Sequence, residues 1–171
     1  MRLPFLVITP FAFAIVVAGP APAAQSAHPA KPPSFTCHGF PATIHGSFGA
    51  DHIVGTAGRD VIVGLGGGDT IDGGGGNDLI CTIGSWTHGK HTPKLSLTHV
   101  TGGAGRDIIF GGDEVDVLKG GRGNDRLYGA GGNDTLIGGR GKDLIDGGPG
   151  IDTARGGPGV DTFLNVEHAH Q

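Results

Sequence analysis

The chain has 171 residues with a net charge of −4 at pH 7, and 36 of the residues are glycine. This length fits a single domain. The sequence shows neither a basic stripe nor a set of stacking aromatic residues, so nucleic acid is excluded from the predicted partners.

Residues 1–23 have the features of a secretory signal. Arg2 is followed by an apolar stretch from Leu3 to Ala18, and small residues lead to a cleavage point after Ala23. The apolar stretch contains two prolines and is shorter than the ~20 residues that a membrane-spanning helix needs. The sequence therefore predicts export with removal of the signal, a secreted extracellular protein and no transmembrane anchor.

Two short segments follow the predicted signal. Residues 24–36 are rich in Ala, Pro, Ser and Lys and are predicted to be a linker. Residues 37–45 keep the phase of a nine-residue repeat that begins at residue 46, with Ile44 at its apolar position and Ala42 at its acidic position. Because terminal repeats are commonly atypical, we expect residues 37–45 to be a cap that covers the first turn without binding metal.

The nine-residue repeat occupies residues 46–81 and 102–164. Its unit is G-G-x-G-x-D-x-U-x, in which U is apolar. The first position of every unit is glycine: Gly46, Gly55, Gly64, Gly73, Gly102, Gly111, Gly120, Gly129, Gly138, Gly147 and Gly156. The sixth position is always aspartate: Asp51, Asp60, Asp69, Asp78, Asp107, Asp116, Asp125, Asp134, Asp143, Asp152 and Asp161.

One unit predicts one turn and one short strand. Glycine alone reaches positive φ without a Cβ clash, so the first residues form a tight turn. The last three residues form a strand whose central apolar side chain points inward. Two units then make one turn of a parallel coil, and the aspartates fall into two columns with a spacing of about 4.8 Å. Stacked carboxylates repel each other, and a divalent cation with oxygen ligands, Ca²⁺ rather than Mg²⁺, would remove this repulsion.

These units resemble the RTX, or hemolysin-type, calcium-binding repeat family. The clearest copies are residues 64–72 (Gly-Leu-Gly-Gly-Gly-Asp-Thr-Ile-Asp) and residues 138–146 (Gly-Gly-Arg-Gly-Lys-Asp-Leu-Ile-Asp). The resemblance implies an all-β fold, a parallel β-roll of about eleven repeats that is ordered only when calcium is present. Calcium ions are expected between turns, held by the eleven aspartates and by the carbonyls of the eleven first-position glycines.

The repeats also predict how many ions the coil binds. An ion shared by units n and n+2 gives about seven sites, and about nine if the interruption loops out of the coil. Any single aspartate in a glycine-rich turn is more often an Asx-turn residue than a metal ligand. The phase of eleven copies favours metal, whereas Asp72, Asp113 and Asp146 are off phase and are interpreted as solvated charges.

Residues 82–101 interrupt the repeat and are predicted to be an insert loop. They contain Trp86 and three histidines, at positions 88, 91 and 99. A zinc-binding or partner-binding loop is one interpretation, but the histidine spacing matches no recognised metal motif, and a decorating loop is preferred. The alternation from Leu95 to Thr101 is typical of a short strand.

The remaining features concern the cysteines and catalysis. Cys37 and Cys81 are the only cysteines, and export favours a disulfide between them, for which Cys37 must leave the regular path of the coil.

The sequence contains neither the motif of a zinc-protease helix nor that of a nucleophile elbow, and residues 165–171 are predicted to be a short tail. We therefore expect a non-enzymatic extracellular structural or binding module with an unknown protein or envelope partner. The alternatives are an accessory fragment of a separately encoded secreted enzyme and a small enzyme within the insert.

Overall fold

The structure of the protein is a computed structural model that describes residues 16–18, 35–82 and 97–171. The predictions for the rest of the signal, for the linker up to residue 34 and for residues 83–96 lie outside these residues. Val16–Ala18 forms β1 and pairs antiparallel with β5, Asp51–Val54. A helix of the length and apolar character needed to cross a bilayer is not found among the described residues.

The described chain winds into two sheets whose strands are parallel except for β1, and strands that follow each other along the coil alternate between the sheets. Sheet I runs β1, β5, β7 (Thr70–Asp72), β9 (Thr98–Ala104), β11 (Asp116–Arg122), β13 (Thr135–Arg140), β15 (Thr153–Arg155) and β17 (His168–His170). Sheet II runs β4 (Ile44–His45), β6 (Val61–Val63), β8 (Leu79–Cys81), β10 (Ile108–Phe110), β12 (Arg126–Tyr128), β14 (Leu144–Asp146) and β16 (Thr162–Leu164). The predicted all-β parallel β-roll is confirmed.

The core of the roll is a single file of apolar side chains from each sheet. The central residue of each strand lies beside the central residue of its neighbour, as Ile53 beside Ile71 and Ile109 beside Leu127. The buried members are Ile44, Ile53, Ile62, Ile71, Ile80, Val100, Ile109, Leu118, Leu127, Leu136, Ile145 and Ala154, with Phe163 and Val166 packed against them. The eighth position of the repeat therefore faces inward, and the core is only one side chain thick in each sheet.

Three strands of the coil, β4, β9 and β17, come from units that lack the aspartate. In these units Ala42, Thr98 and Glu167 take the aspartate position, two residues before the inward-facing residue. β9 starts inside the segment predicted as an insert, and β17 lies inside the predicted tail. The coil therefore closes over the interruption, where two stacked aspartates are 29 residues apart instead of the usual 18.

Residues 35–41 form a hairpin that lies outside the coil, against sheet II. Thr36–Cys37 (β2) pairs antiparallel with Phe40–Pro41 (β3). Cys37 is fully buried and forms a disulfide with Cys81, with the two Cα atoms 5.7 Å apart. The hairpin covers a second apolar cluster of Cys37, Val61, Val63, Leu65, Leu79 and Cys81. The predicted disulfide is confirmed, and by the chain-entropy model it stabilises the fold by about 4 kcal/mol.

Candidate calcium-binding turns

The eleven repeat aspartates lie in two columns, one at each edge of the roll where turns become strands. Each of them precedes its inward apolar residue by two positions, so the strand register also stacks the carboxylates. The continuous column contains Asp60, Asp78, Asp107, Asp125, Asp143 and Asp161. The interrupted column contains Asp51 and Asp69, then Thr98, then Asp116, Asp134 and Asp152.

Backbone hydrogen bonds tie eight of the aspartates to the aspartate one turn later. The Asp60 N–H donates to Oδ1 of Asp78 over 2.9 Å, and the Asp78 N–H donates to Oδ1 of Asp107 over 2.9 Å. The same bond occurs in the pairs Asp51–Asp69, Asp107–Asp125, Asp116–Asp134, Asp125–Asp143, Asp134–Asp152 and Asp143–Asp161. One carboxylate oxygen in each such pair is thereby satisfied and held in place.

The second carboxylate oxygen is buried without a hydrogen-bond partner. Among the described residues this holds for Oδ1 of Asp51 and for Oδ2 of Asp69, Asp78, Asp107, Asp125, Asp134, Asp143, Asp152 and Asp161. A buried acceptor left without a partner costs about 1–3 kcal/mol, and more when it is charged. Burial accordingly raises the pKa of Asp78, Asp125 and Asp134 to about 7. The turns therefore require a proton or a cation at these oxygens.

The first glycine of each unit leaves space for these oxygens. A Cβ on Gly102 would stand 2.5 Å from Oδ2 of Asp107 and 2.7 Å from the carbonyl oxygen of Gly120. The carbonyls placed in this way among the predicted glycines are those of Gly64, Gly73, Gly102, Gly120, Gly129, Gly138, Gly147 and Gly156. A carboxylate oxygen and a carbonyl of the next turn thus face the same glycine, and only glycine fits there.

Two further carbonyls take the same place although their residues are not repeat glycines. The carbonyl of Thr82 lies beside Gly64, and the carbonyl of Asn165 lies beside Gly147. The carbonyls of Gly46, Gly55 and Gly111, which the sequence also predicts as ligands, are not among those that face a first-position glycine in this way. Sequence reasoning missed Thr82 and Asn165 because each occupies the first position of a unit whose length departs from nine.

The donor set of the turns suits calcium. In the part of the chain that the structure describes, no three His, Cys, Asp or Glu side chains converge on one point. An ion between two turns must therefore combine carboxylate oxygens with backbone carbonyls. Six to eight oxygen ligands from carboxylates and carbonyls are the usual environment of Ca²⁺, whereas Mg²⁺ requires stricter octahedral geometry.

The ends and the middle of the columns depart from this arrangement. Glu167 replaces aspartate in the last unit, where its Oε2 accepts the Asp152 N–H over 2.7 Å. At the other end, the Thr43 hydroxyl lies 3.5 Å from Oδ1 of Asp60, the first aspartate of the continuous column. Thr98 supplies no carboxylate between Asp69 and Asp116. Glu167 is therefore a further oxygen donor that the nine-residue spacing alone did not identify.

Of the three histidines that the sequence offers as a possible metal site, only His99 lies in the described part of the chain. His88 and His91 lie outside the described residues. His99 lies on β9, is exposed on the outer face of sheet I, and pairs in register with Thr70 and Val117. Among the described residues, His99 does not belong to a group of three His, Cys, Asp or Glu side chains that could hold a metal ion.

A comparison with protein-family models places the chain in a known family. The RTX calcium-binding nonapeptide repeat model matches four times, over residues 45–80, 99–127, 110–145 and 137–164. Together these matches cover more than half of the chain, so the protein belongs to this family. No curated protein matches the chain. The match that starts at residue 99 also takes in residues 99–101 of β9, which the strict repeat pattern leaves out.

Proposed function

We propose that the protein is a secreted, non-enzymatic calcium-binding module that folds when Ca²⁺ enters its turns and acts outside the cell as a structural or binding element. The observation that carries this proposal is the series of nine buried carboxylate oxygens without hydrogen-bond partners. Family membership supports calcium as the ion. Calcium would supply the positive charge that these buried oxygens lack.

The proposed ligands are the carboxylates of the eleven repeat aspartates together with the turn carbonyls that face them. Eight aspartate pairs are linked by the backbone bond described above, which supports about eight shared ions. Because aspartates inside a column belong to two pairs and those at the ends to one, binding should be cooperative along each column.

Export is proposed from residues 1–23 and from the disulfide. Disulfides persist in oxidising compartments and are rare in the cytosol, so the Cys37–Cys81 bridge supports a location outside the cytosol. A non-enzymatic role is proposed because the buried carboxylates are committed to the turn ladders. Mass spectrometry of the exported protein should find a chain that begins after residue 23, and retention in the cytosol would reject export.

The decisive experiment is a calcium titration of the full chain followed by far-ultraviolet circular dichroism. We expect little β structure in chelator and a cooperative gain on adding calcium, with a midpoint on the order of 10⁻⁴ to 10⁻³ M as in other extracellular modules. Magnesium serves as the matched control and should not replace calcium at the same concentration. A chain that is fully β in excess chelator at neutral pH would contradict the proposal. Equilibrium dialysis then counts the ions.

A further inference from the structure

The two edges of the roll differ in charge. The edge that leads into sheet II carries Arg59, Arg106 and Lys142 in its turns and Arg122 and Arg140 at the ends of β11 and β13, and Arg126 follows directly in β12. All six side chains are exposed. The turns of the opposite edge, residues 46–51, 64–69, 111–116, 129–134 and 147–152, contain neither lysine nor arginine. Among the turns that the structure describes, the cations are thus gathered on one edge.

A cavity of about 550 Å³ lies on this cationic edge, between the N-terminal hairpin and the outer face of sheet II. Its apolar side is formed by Phe40 of the hairpin and by Leu79, Ile108 and Phe110 of the sheet. Three arginines, Arg59, Arg106 and Arg126, also line the cavity. A cavity of this volume with an apolar lining and a few polar groups is typical of small-molecule sites.

The walls of the cavity are held in place by specific contacts. The disulfide fixes the hairpin against sheet II, and the His38 ring lies 3.9 Å from the Phe110 ring between centroids. The Phe110 ring in turn stacks on Tyr128 with centroids 4.7 Å apart. The backbone N–H of Arg106 donates to Oδ1 of Asn77 over 2.7 Å, which fixes the turn that carries this cation. The cavity is therefore a built feature of the fold.

Calcium binding would change the charge of this cavity. Asp78, a member of the continuous column, also lines it, and the guanidinium of Arg59 interacts electrostatically with that carboxylate. An ion at Asp78 would neutralise the carboxylate and leave the three arginines as the dominant charges. The calcium-loaded state then presents an apolar cavity that three arginines also line.

We propose that this cavity binds a small amphiphilic carboxylate, a molecule with an apolar chain and one anionic head. The chain would pack on Phe40, Leu79, Ile108 and Phe110, and the head would accept hydrogen bonds from Arg106 and Arg126, because a guanidinium matches a carboxylate in a bidentate geometry. The finite volume between hairpin and sheet favours a single soluble molecule over a membrane surface. The proposal goes beyond calcium binding and rests on the proposed function only in requiring the calcium-folded state.

The test is isothermal titration calorimetry of decanoate into the full chain in saturating calcium. We expect saturable binding at one site, and a loss of at least about tenfold in affinity in Arg106→Ala/Arg126→Ala, since hydrogen bonds to charged groups contribute this much. Lys119→Ala/Arg155→Ala removes two exposed cations from sheet I and serves as the matched control, with unchanged affinity. Phe40→Ala should also weaken binding, and because Phe40 is 51% exposed this change leaves the core intact.

Circular dichroism of each variant in calcium separates this proposal from the proposed function. A chain that gains its β structure in calcium but does not bind decanoate overturns the amphiphile site and leaves calcium-dependent folding standing. Equal affinity for decanol and decanoate would show that the arginines do not recognise the carboxylate head, and this result would overturn the proposal. Tighter binding of a short acidic oligosaccharide or of anionic vesicles, sensitive to the same arginines, would also overturn it.

Discussion

The continuous and the interrupted columns of aspartates are built from the same repeat but differ in how they pass the insert. In the continuous column, Asp78 hydrogen-bonds directly to Asp107 across the interruption. In the interrupted column the corresponding place is held by Thr98, between Asp69 and Asp116. The hydrophobic core does not share this break, because Val100 fills its place between Ile71 and Leu118. A repeat can therefore lose its metal-binding side chain and still complete the coil.

The electrostatics of the metal-free turns differ between Asp125 of the continuous column and Asp116 of the interrupted column. The pKa of Asp125 is raised to about 7, mainly by burial and in addition by the charges of Asp107 and Asp143. Burial raises the pKa of Asp116 only to about 6, where hydrogen bonds from the backbone of Gly112 and Thr98 oppose it. Asp116 thus lacks the preceding carboxylate neighbour that Asp125 has in Asp107. The pKa of Asp69, on the other side of Thr98, is raised to about 7, mainly by burial.

The largest expected effect is that of pH. Because folding raises the pKa of buried aspartates from 3.8 to about 7, the metal-free fold holds more protons than the unfolded chain between these values. Its stability is therefore greatest below about pH 4 and is lost as the pH rises through about 7. Calcium must displace these protons, so the calcium midpoint should rise as the pH falls, by about tenfold per unit for a site that releases one proton.

Titrations at about pH 8 and about pH 5.5, followed by circular dichroism, measure this shift. In chelator, acidification should increase the β signal. Asp125→Asn should flatten the pH dependence more than Asp116→Asn, because Asp125 has the higher pKa. A midpoint that does not change between the two pH values would show that protons do not compete for the calcium ligands.

The second prediction concerns coupling across the insert. Asp78→Ala removes the carboxylate that links the turns before the insert to Asp107, and the interrupted column offers no substitute. Stability in repeat proteins propagates between neighbours, so the single transition should separate into two. Hydrogen exchange during a calcium titration should show residues 35–82 protected at a higher calcium concentration than residues 97–171. Asp51→Ala, at the first turn, is the control and should leave one transition. A single transition in both variants would mean that the core alone couples the two segments.

The third prediction repairs the interrupted column. Thr98→Asp should add shared oxygens between Asp69 and Asp116, raise the number of bound ions in equilibrium dialysis and lower the calcium midpoint by roughly two- to fivefold. In chelator the same change should destabilise the fold, since carboxylates at the strand spacing repel by roughly 0.9 kcal/mol per pair even in water. Thr98→Asn has a similar shape without the charge and should show neither effect. An ion count equal to that of the unchanged chain would refute the role assigned to Thr98.

The sequence predicts what depends on the nine-residue phase and misses what depends on a change of phase. The aspartate columns and the inward apolar residues follow from a strict count, because strand register repeats with it. A nine-residue count does not identify Thr82 or Glu167, because the unit that begins at Thr82 is longer than nine residues and the unit that contains Glu167 is shorter. The outer apolar cluster appears only when units are sorted by sheet, which brings together Val61, Leu79 and Ile108 from every second unit. The hairpin that covers this cluster lies outside the coil, although residues 37–41 keep the phase of the repeat.

The smallest expected effect tests a departure from glycine in the turns of the interrupted column. Ala130 lies at the second position of its unit with φ of 74°, a conformation in which residues other than glycine are strained by about 1–2 kcal/mol. Ala130→Gly relieves this strain but loosens the unfolded chain by about 0.4–1 kcal/mol, so a net gain on the order of 0.5 kcal/mol is expected. Ala57→Gly, at an exposed turn position without positive φ, has only the second effect and should destabilise. Urea denaturation in saturating calcium compares the two variants. If both lose stability, the positive φ at Ala130 carries no measurable strain.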